Sequence, residues 1–125
     1  MPDNPFARDG KLSYMQIPAL DVERSADFYE RVFGWTTRRD GNPDHLSFQD
    51  AAGELLGAFV TRRDIAREPG ILPYIYVDRF DDAIARIRAN GCELAREPYR
   101  EGDLWVATFR DPAGNVIGIW HMGSR

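Results

Sequence analysis

Few residues of this chain stand in a pattern that does chemistry. Cys92 is the one cysteine. It directly follows Gly91 with no histidine beside it, so it reads as a small apolar core residue and not as a nucleophile. One cysteine also excludes an intrachain disulfide framework and a CxxC metal knuckle. The two histidines, His45 and His121, read as polar residues at strand ends. Glu23 and the Asp81-Asp82 pair fall in the first turns of expected helices, where a carboxylate favours the helix dipole, so they do not read as an acid/base pair. There is no Gly-rich phosphate loop after a strand, no nucleophile elbow and no HExxH. What remains is aromatic: Tyr14, Phe59, Tyr74, Tyr76, Trp105 and Trp120, with Gln16 nearby. Aromatic walls with a few hydrogen-bonding tips suit planar or amphipathic small molecules. If side chains also act on such a molecule, Tyr14 or Tyr76 is the proton donor, or Gln16 polarises a carbonyl.

The elements that must position these residues come in pairs. Tyr14 to Pro18 alternates like a strand and leads to Asp21, an N-cap type that accepts from the first free N–H groups. Val22, Ala26, Tyr29, Val32 and Phe33 then follow at helical spacing until Gly34, a left-handed terminator. Pro73 to Val77 leads in the same way to Asp78, with Phe80, Ala83, Ile84 and Ile87 on one helical face and Gly91 as the stop. A hairpin also occurs twice: Phe48 to Phe59 lies over Phe109 to Trp120, with Phe48/Phe109, Asp50/Asp111, Ala52/Ala113, Gly53/Gly114 and Gly57/Gly118 identical. Asp at the first and Gly at the fourth position predict a type I turn in both. Repetition of helix and hairpin in the same order marks a tandem duplication.

Each half therefore reads strand, helix and three strands, an α+β chain of two βαβββ modules. The strands are expected near 12–18, 35–39, 44–49 and 54–61, then near 72–77, 92–96, 103–110 and 115–121. Module one runs over about 10–62, the linker over about 62–70 and module two over about 71–121, within a single domain of 1–125. The stretch from Glu97 to Gly102 is a candidate mobile loop. Strand alternation sorts the faces. With Ile17, Leu56, Ile75, Val77, Ile117 and Ile119 toward the helices, the opposite parity holds Tyr14, Gln16, Gly57, Phe59, Tyr74, Tyr76, Gly118 and Trp120. Trp105 is a further candidate from the seventh strand. Two glycines on that face leave room for a ligand.

Composition agrees with an ordinary globular chain. Of 125 residues, 43% are hydrophobic and 29% charged, and the net charge of −4 comes without a basic block. That disfavours nucleic acid and anionic membranes as partners. The polar segment from Met1 to Lys11 does not read as a secretory signal, and no apolar run approaches the ~18 residues of a membrane span. A cytoplasmic setting is expected.

The segments Gln16–Asp21, Ala26–Trp35 and Asp111–Ile117, set in two βαβββ modules, resemble the glyoxalase/bleomycin-resistance/extradiol-dioxygenase superfamily, also called vicinal oxygen chelate proteins. The resemblance implies that each module is half of a cup, with its helix on the convex back and the ligand in the concave front. It also implies four metal-ligand slots, on the first and last strands of each module. Those slots read Tyr14, Gly57, Leu72 and Gly118 here, and His45 and His121 lie at none of them. The expectation is a member without metal or other cofactor, which binds or sequesters a small aromatic or amphipathic molecule through Tyr14, Gln16, Phe59, Tyr74, Tyr76, Trp105 and Trp120. The alternatives are a metal-free isomerase or lyase using side chains of the cup, an interaction module with a filled cup, and a metal-dependent lyase or dioxygenase. The resemblance further implies a homodimer.

Overall fold

The computed structural model describes residues 6–125. The first five residues of the polar N-terminal segment lie outside them. Among the described residues the element order is β1 (Tyr14–Pro18), α1 (Val22–Phe33), β2 (Thr36–Arg38), β3 (His45–Gln49), β4 (Leu56–Val60), β5 (Tyr74–Tyr76), α2 (Phe80–Ala89), β6 (Glu93–Glu101), β7 (Leu104–Arg110) and β8 (Val116–Met122). These are two tandem βαβββ modules. The chain divides into two compact units, one ending at Asp64 and one beginning at Ile65. Each holds a four-stranded mixed sheet, ordered β1-β4-β3-β2 and β5-β8-β7-β6.

In the first unit, Asp21 caps α1: its Oδ1 accepts from the backbone N–H groups of Glu23 and Arg24 at 3.0 and 3.3 Å. Gly34 closes the helix with φ 73°, a conformation that an L side chain rarely adopts. The buried face of α1 puts Tyr29 on the sheet, where its ring stacks on Phe59 (centroids 5.4 Å apart) and Trp35 (4.5 Å). Phe48 completes the stack, 4.8 Å from Trp35 and 4.9 Å from Phe59. Each such pair is worth about 0.5–1.5 kcal/mol beyond the area it buries.

The second unit differs at its helix. Arg79, not Asp78, is the N-cap of α2, and it makes no side-chain cap bond. Phe80, Ala83, Ile84 and Ile87 are buried as the helical period predicts, together with Phe109, Ile117 and Ile119. The expected mobile loop is strand instead. β6 continues to Glu101, with irregularities in its pairing to β7 between Leu94 and Arg96 and between Arg96 and Tyr99. Pro98 suggests a loop in the sequence, but β6 is an edge strand, where a proline removes no ladder bond from a neighbour. Two bulges absorb the extra residues.

Candidate functional site

Both hairpins make the expected turn. Gly53 N–H donates to the Asp50 carbonyl at 3.0 Å, and Gly114 N–H to the Asp111 carbonyl at 2.9 Å. Beyond the glycine they diverge. Asp50 N–H bonds the carbonyl of Leu55, whereas Asp111 N–H bonds that of Asn115, one residue closer. Phe48 consequently pairs with Gly57, while Phe109 pairs with Ile117. A shift of one residue turns a whole strand over. On β4 it sends Gly57 and Phe59 to the helix side and Leu56, Ala58 and Val60 to the open face, opposite to the sequence parity. Phe59 is 0% exposed in the aromatic stack of α1, so it does not line the open face. The place beside Gly57 is filled by the Phe48 ring.

The open face of the second sheet is built as the alternation predicts. Ladder partners put Tyr74, Gly118, Thr108 and Arg96 in one row and Tyr76, Trp120, Val106 and Tyr99 in the next. Tyr74 and Tyr76 are each 44% exposed. Tyr76 meets Trp120 edge-to-face at 4.8 Å. Gly118 leaves space, but Tyr74 occupies it: a Cβ on Gly118 would lie 2.3 Å from the Tyr74 ring. The ring lies across the glycine, with Tyr99 close enough to act on its phenol. The Arg96 guanidinium stacks on the Tyr99 ring, 3.7 Å from its centroid. Burial, Tyr99 and the Glu101 carboxylate push the Tyr74 phenol above its ordinary range, and Arg96 opposes them. Tyr74 therefore presents itself as a neutral hydroxyl. Tyr99 and Arg96 share this face and are absent from the sequence reading; only the aromatic and cation beside Pro98 hinted at them.

Trp105 lies on the other face. It pairs with Arg100 and His121, and its ring is 6.4 Å from Phe80 of α2. It lines a recess of about 660 Å³ with Arg100, Asp103, Met122 and the segment to Arg125, on the helix side. The expectation that Trp105 joins the aromatic wall is therefore corrected. His121 is buried, with its two ring nitrogens 2.8 Å from the carbonyls of Val77 and Ser124, a role in the fold.

In the first unit, Tyr14, Gln16 and Pro18 of β1 share the open face with Leu56, Ala58 and Val60 of β4 and with His45, Ser47 and Gln49 of β3. Tyr14, Gln16 and Pro18 line an open groove of about 500 Å³ with Arg63, a residue of the expected linker. Arg63 Nε donates to Gln16 Oε1 at 2.5 Å.

The family's metal positions were tested against these faces. The open faces of the first strands offer three phenols and one carboxamide, from Tyr14, Tyr74, Tyr76 and Gln16. The open faces of the last strands offer Leu56, Ala58 and Val60, or Val116, Gly118 and Trp120, none of which carries a donor suited to a hard divalent ion. Among the described residues, no group of three or more His, Cys, Asp or Glu gathers to hold a metal. No helix among the described residues is long and apolar enough to cross a membrane.

Residues 11–119 match the Glyoxalase/Bleomycin resistance protein/Dioxygenase superfamily. The anthracycline biosynthesis protein DnrV of Streptomyces peucetius is 31% identical over 91% of this chain and 48% of that protein, so the chain spans about half the length of that relative. A glyoxylase-like domain-containing protein of Didymella fabae is 31% identical over 88% of this chain and 92% of its own. Among solved structures, TnmS3, an antibiotic binding protein from Streptomyces sp. CB03234, superposes with a TM-score of 0.71 at 24% identity, covering 91% of this chain and 97% of that one. At that identity the likeness concerns the fold.

Proposed function

We propose that this chain, which belongs to the Glyoxalase/Bleomycin resistance protein/Dioxygenase superfamily, binds or sequesters a planar aromatic or amphipathic small molecule without a metal. The observation that carries this reading is the open face of β5, β8, β7 and β6. There Tyr76 and Trp120 form an aromatic shelf beside the Tyr74 phenol, and among the described residues no group of three or more His, Cys, Asp or Glu gathers. A planar ring gains area and edge-to-face contacts from the shelf, and a carbonyl or hydroxyl at its rim meets the Tyr74 hydroxyl. The names of two similar proteins, one in anthracycline biosynthesis and one an antibiotic binding protein, support a small organic ligand. Tyr14 and Gln16 are the corresponding contacts in the first module.

The working assembly is a homodimer in a cytoplasmic setting. Each sheet ends in edge strands among the described residues, β1 and β2 or β5 and β6, which are open to pairing, and two-fold dimers are the commonest assembly of soluble chains. Native mass spectrometry of freshly purified protein tests the whole reading. The expected species is twice the 14.3 kDa chain mass, with organic ligand and no metal. About one Zn, Ni, Mn or Fe per chain, retained through dialysis and required for ligand binding, refutes it. Turnover of the carried ligand by metal-free protein reassigns the chain to the side-chain enzymes.

A further inference from the structure

We propose that the groove on the open face of the first module holds the carboxylate of a small organic molecule, through Arg63 and Gln16, with the Tyr14 ring against the apolar part. This rests on reading the open faces as ligand surfaces and names the chemical group that one of them selects.

The inference starts from the Arg63–Gln16 bond. A carboxamide has one acceptor oxygen and one donor NH₂, and a guanidinium has donors only. Arg63 Nε takes the Gln16 oxygen at 2.5 Å, so the end of Gln16 left for a ligand is its NH₂. The rest of the guanidinium, the two Nη groups, is also purely donating. Arg63 spends its bond on a neutral partner. None of the ion pairs within 4.0 Å among the described residues includes it. The other lining residues, Tyr14 and Pro18, carry no acid. The groove thus holds one uncompensated positive charge and a set of donors, in a chain whose net charge of −4 gives anions no general attraction. A planar oxyanion with two acceptor atoms matches guanidinium and amide donors side by side. Tyr14, 50% exposed, offers an aromatic face to whatever carries that oxyanion.

The local fold explains why Arg63 is there. Thr61, two residues earlier, is fixed to Asp44 twice, by its N–H to the carbonyl at 3.2 Å and by its Oγ1 to Oδ1 at 3.0 Å. That pins the exit of β4 to the start of β3, and the Ala19 N–H, donating to the Val60 carbonyl at 2.9 Å, holds it to the end of β1, within reach of Gln16.

The test uses benzoate and its neutral isostere benzamide in an ¹H–¹⁵N NMR titration of the full chain. Benzoate is expected to shift the Arg63 Nε–H and Gln16 NH₂ signals saturably and to bind at least tenfold more tightly than benzamide. Arg63→Gln, an exposed surface change, should remove that tenfold preference while leaving the melting temperature unchanged. Equal binding of the two probes, or benzoate binding that survives Arg63→Gln, overturns the proposal. Inorganic phosphate binding as tightly as benzoate overturns the assignment to an organic carboxylate. A neutral planar probe, 1-naphthol, followed by Trp fluorescence, separates the two levels. If naphthol binds and benzoate does not, only the carboxylate inference falls; if neither binds, the reading of the open faces falls with it.

Discussion

The two glycines that occupy the same place in the repeated hairpin should respond differently to the same mutation. Gly57→Ala puts a Cβ 2.2 Å from Phe48 Cζ and 2.3 Å from the Met15 carbonyl oxygen. The carbonyl belongs to β1, which pairs with β4 along five residues, so relief requires the two strands to part by about 1 Å. Overpacking of this kind costs about 3 kcal/mol, the upper end of the usual range, because backbone and a packed ring must both move. For a chain of this length that is a loss of roughly 10–15 °C in melting temperature. For Gly118→Ala the three nearest atoms to the new Cβ all belong to the Tyr74 ring, the first at 2.3 Å. Tyr74 is partly exposed and can swing away, so about 1 kcal/mol is expected, the lower end of the overpacking range. In a Tyr74→Ala background the clash disappears. The same alanine should then be neutral or stabilise by about 0.4–1 kcal/mol through the unfolded state. Phe48→Ala should not rescue Gly57→Ala, because the Met15 oxygen remains. Urea denaturation followed by circular dichroism measures all six proteins. Equal losses for the two glycine variants, or rescue of Gly57→Ala by Phe48→Ala, would refute the one-residue difference in hairpin pairing.

Three further outcomes are expected. Trp120→Ala should weaken 1-naphthol binding at least tenfold, about 1.4 kcal/mol, through loss of the shelf shared with Tyr76; calorimetry on folded variant that shows unchanged affinity counts against the site. Asp111 is buried and accepts from the N–H groups of Ala113 and Asn115 and from Asn115 Nδ2, so Asp111→Ala should cost about 2–3 kcal/mol in urea denaturation, more than Asp50→Ala in the more exposed first turn. The Tyr74 phenol titrates above its ordinary value of about 10 in the folded chain, so the folded state binds the proton more tightly than the unfolded state does. Its stabilising contribution is therefore complete below about pH 10 and is lost as the pH rises through the folded value. Tyr74→Phe should flatten the alkaline fall of the urea midpoint and remove one phenol that titrates above pH 10 from the absorbance at 295 nm.

Local signals in the chain were sufficient for the architecture. Asp21, Gly34 and the helical spacing of Val22, Ala26, Tyr29 and Val32 specify α1 through contacts within a few residues, and the Asp-x-x-Gly turns specify both hairpins. Strict alternation likewise put Tyr74, Tyr76 and Trp120 on one face, because their parallel ladder has no irregularity. Three features depended on tertiary pairing. Whether Asp50 closes on Leu55 or one residue earlier is a choice between ladders, and it decided that Phe59 joins Tyr29 in the core. The bulges of β6 hold Tyr99 and Arg96 on the open face beside Pro98, because an edge strand tolerates residues that its partner does not match. Arg63 reaches Gln16 across 47 positions of sequence, a contact that exists only once β4 has been laid against β1. Local propensity acts over a turn or two of chain; which face a strand shows, and which distant side chains share it, is set by pairing across the sheet.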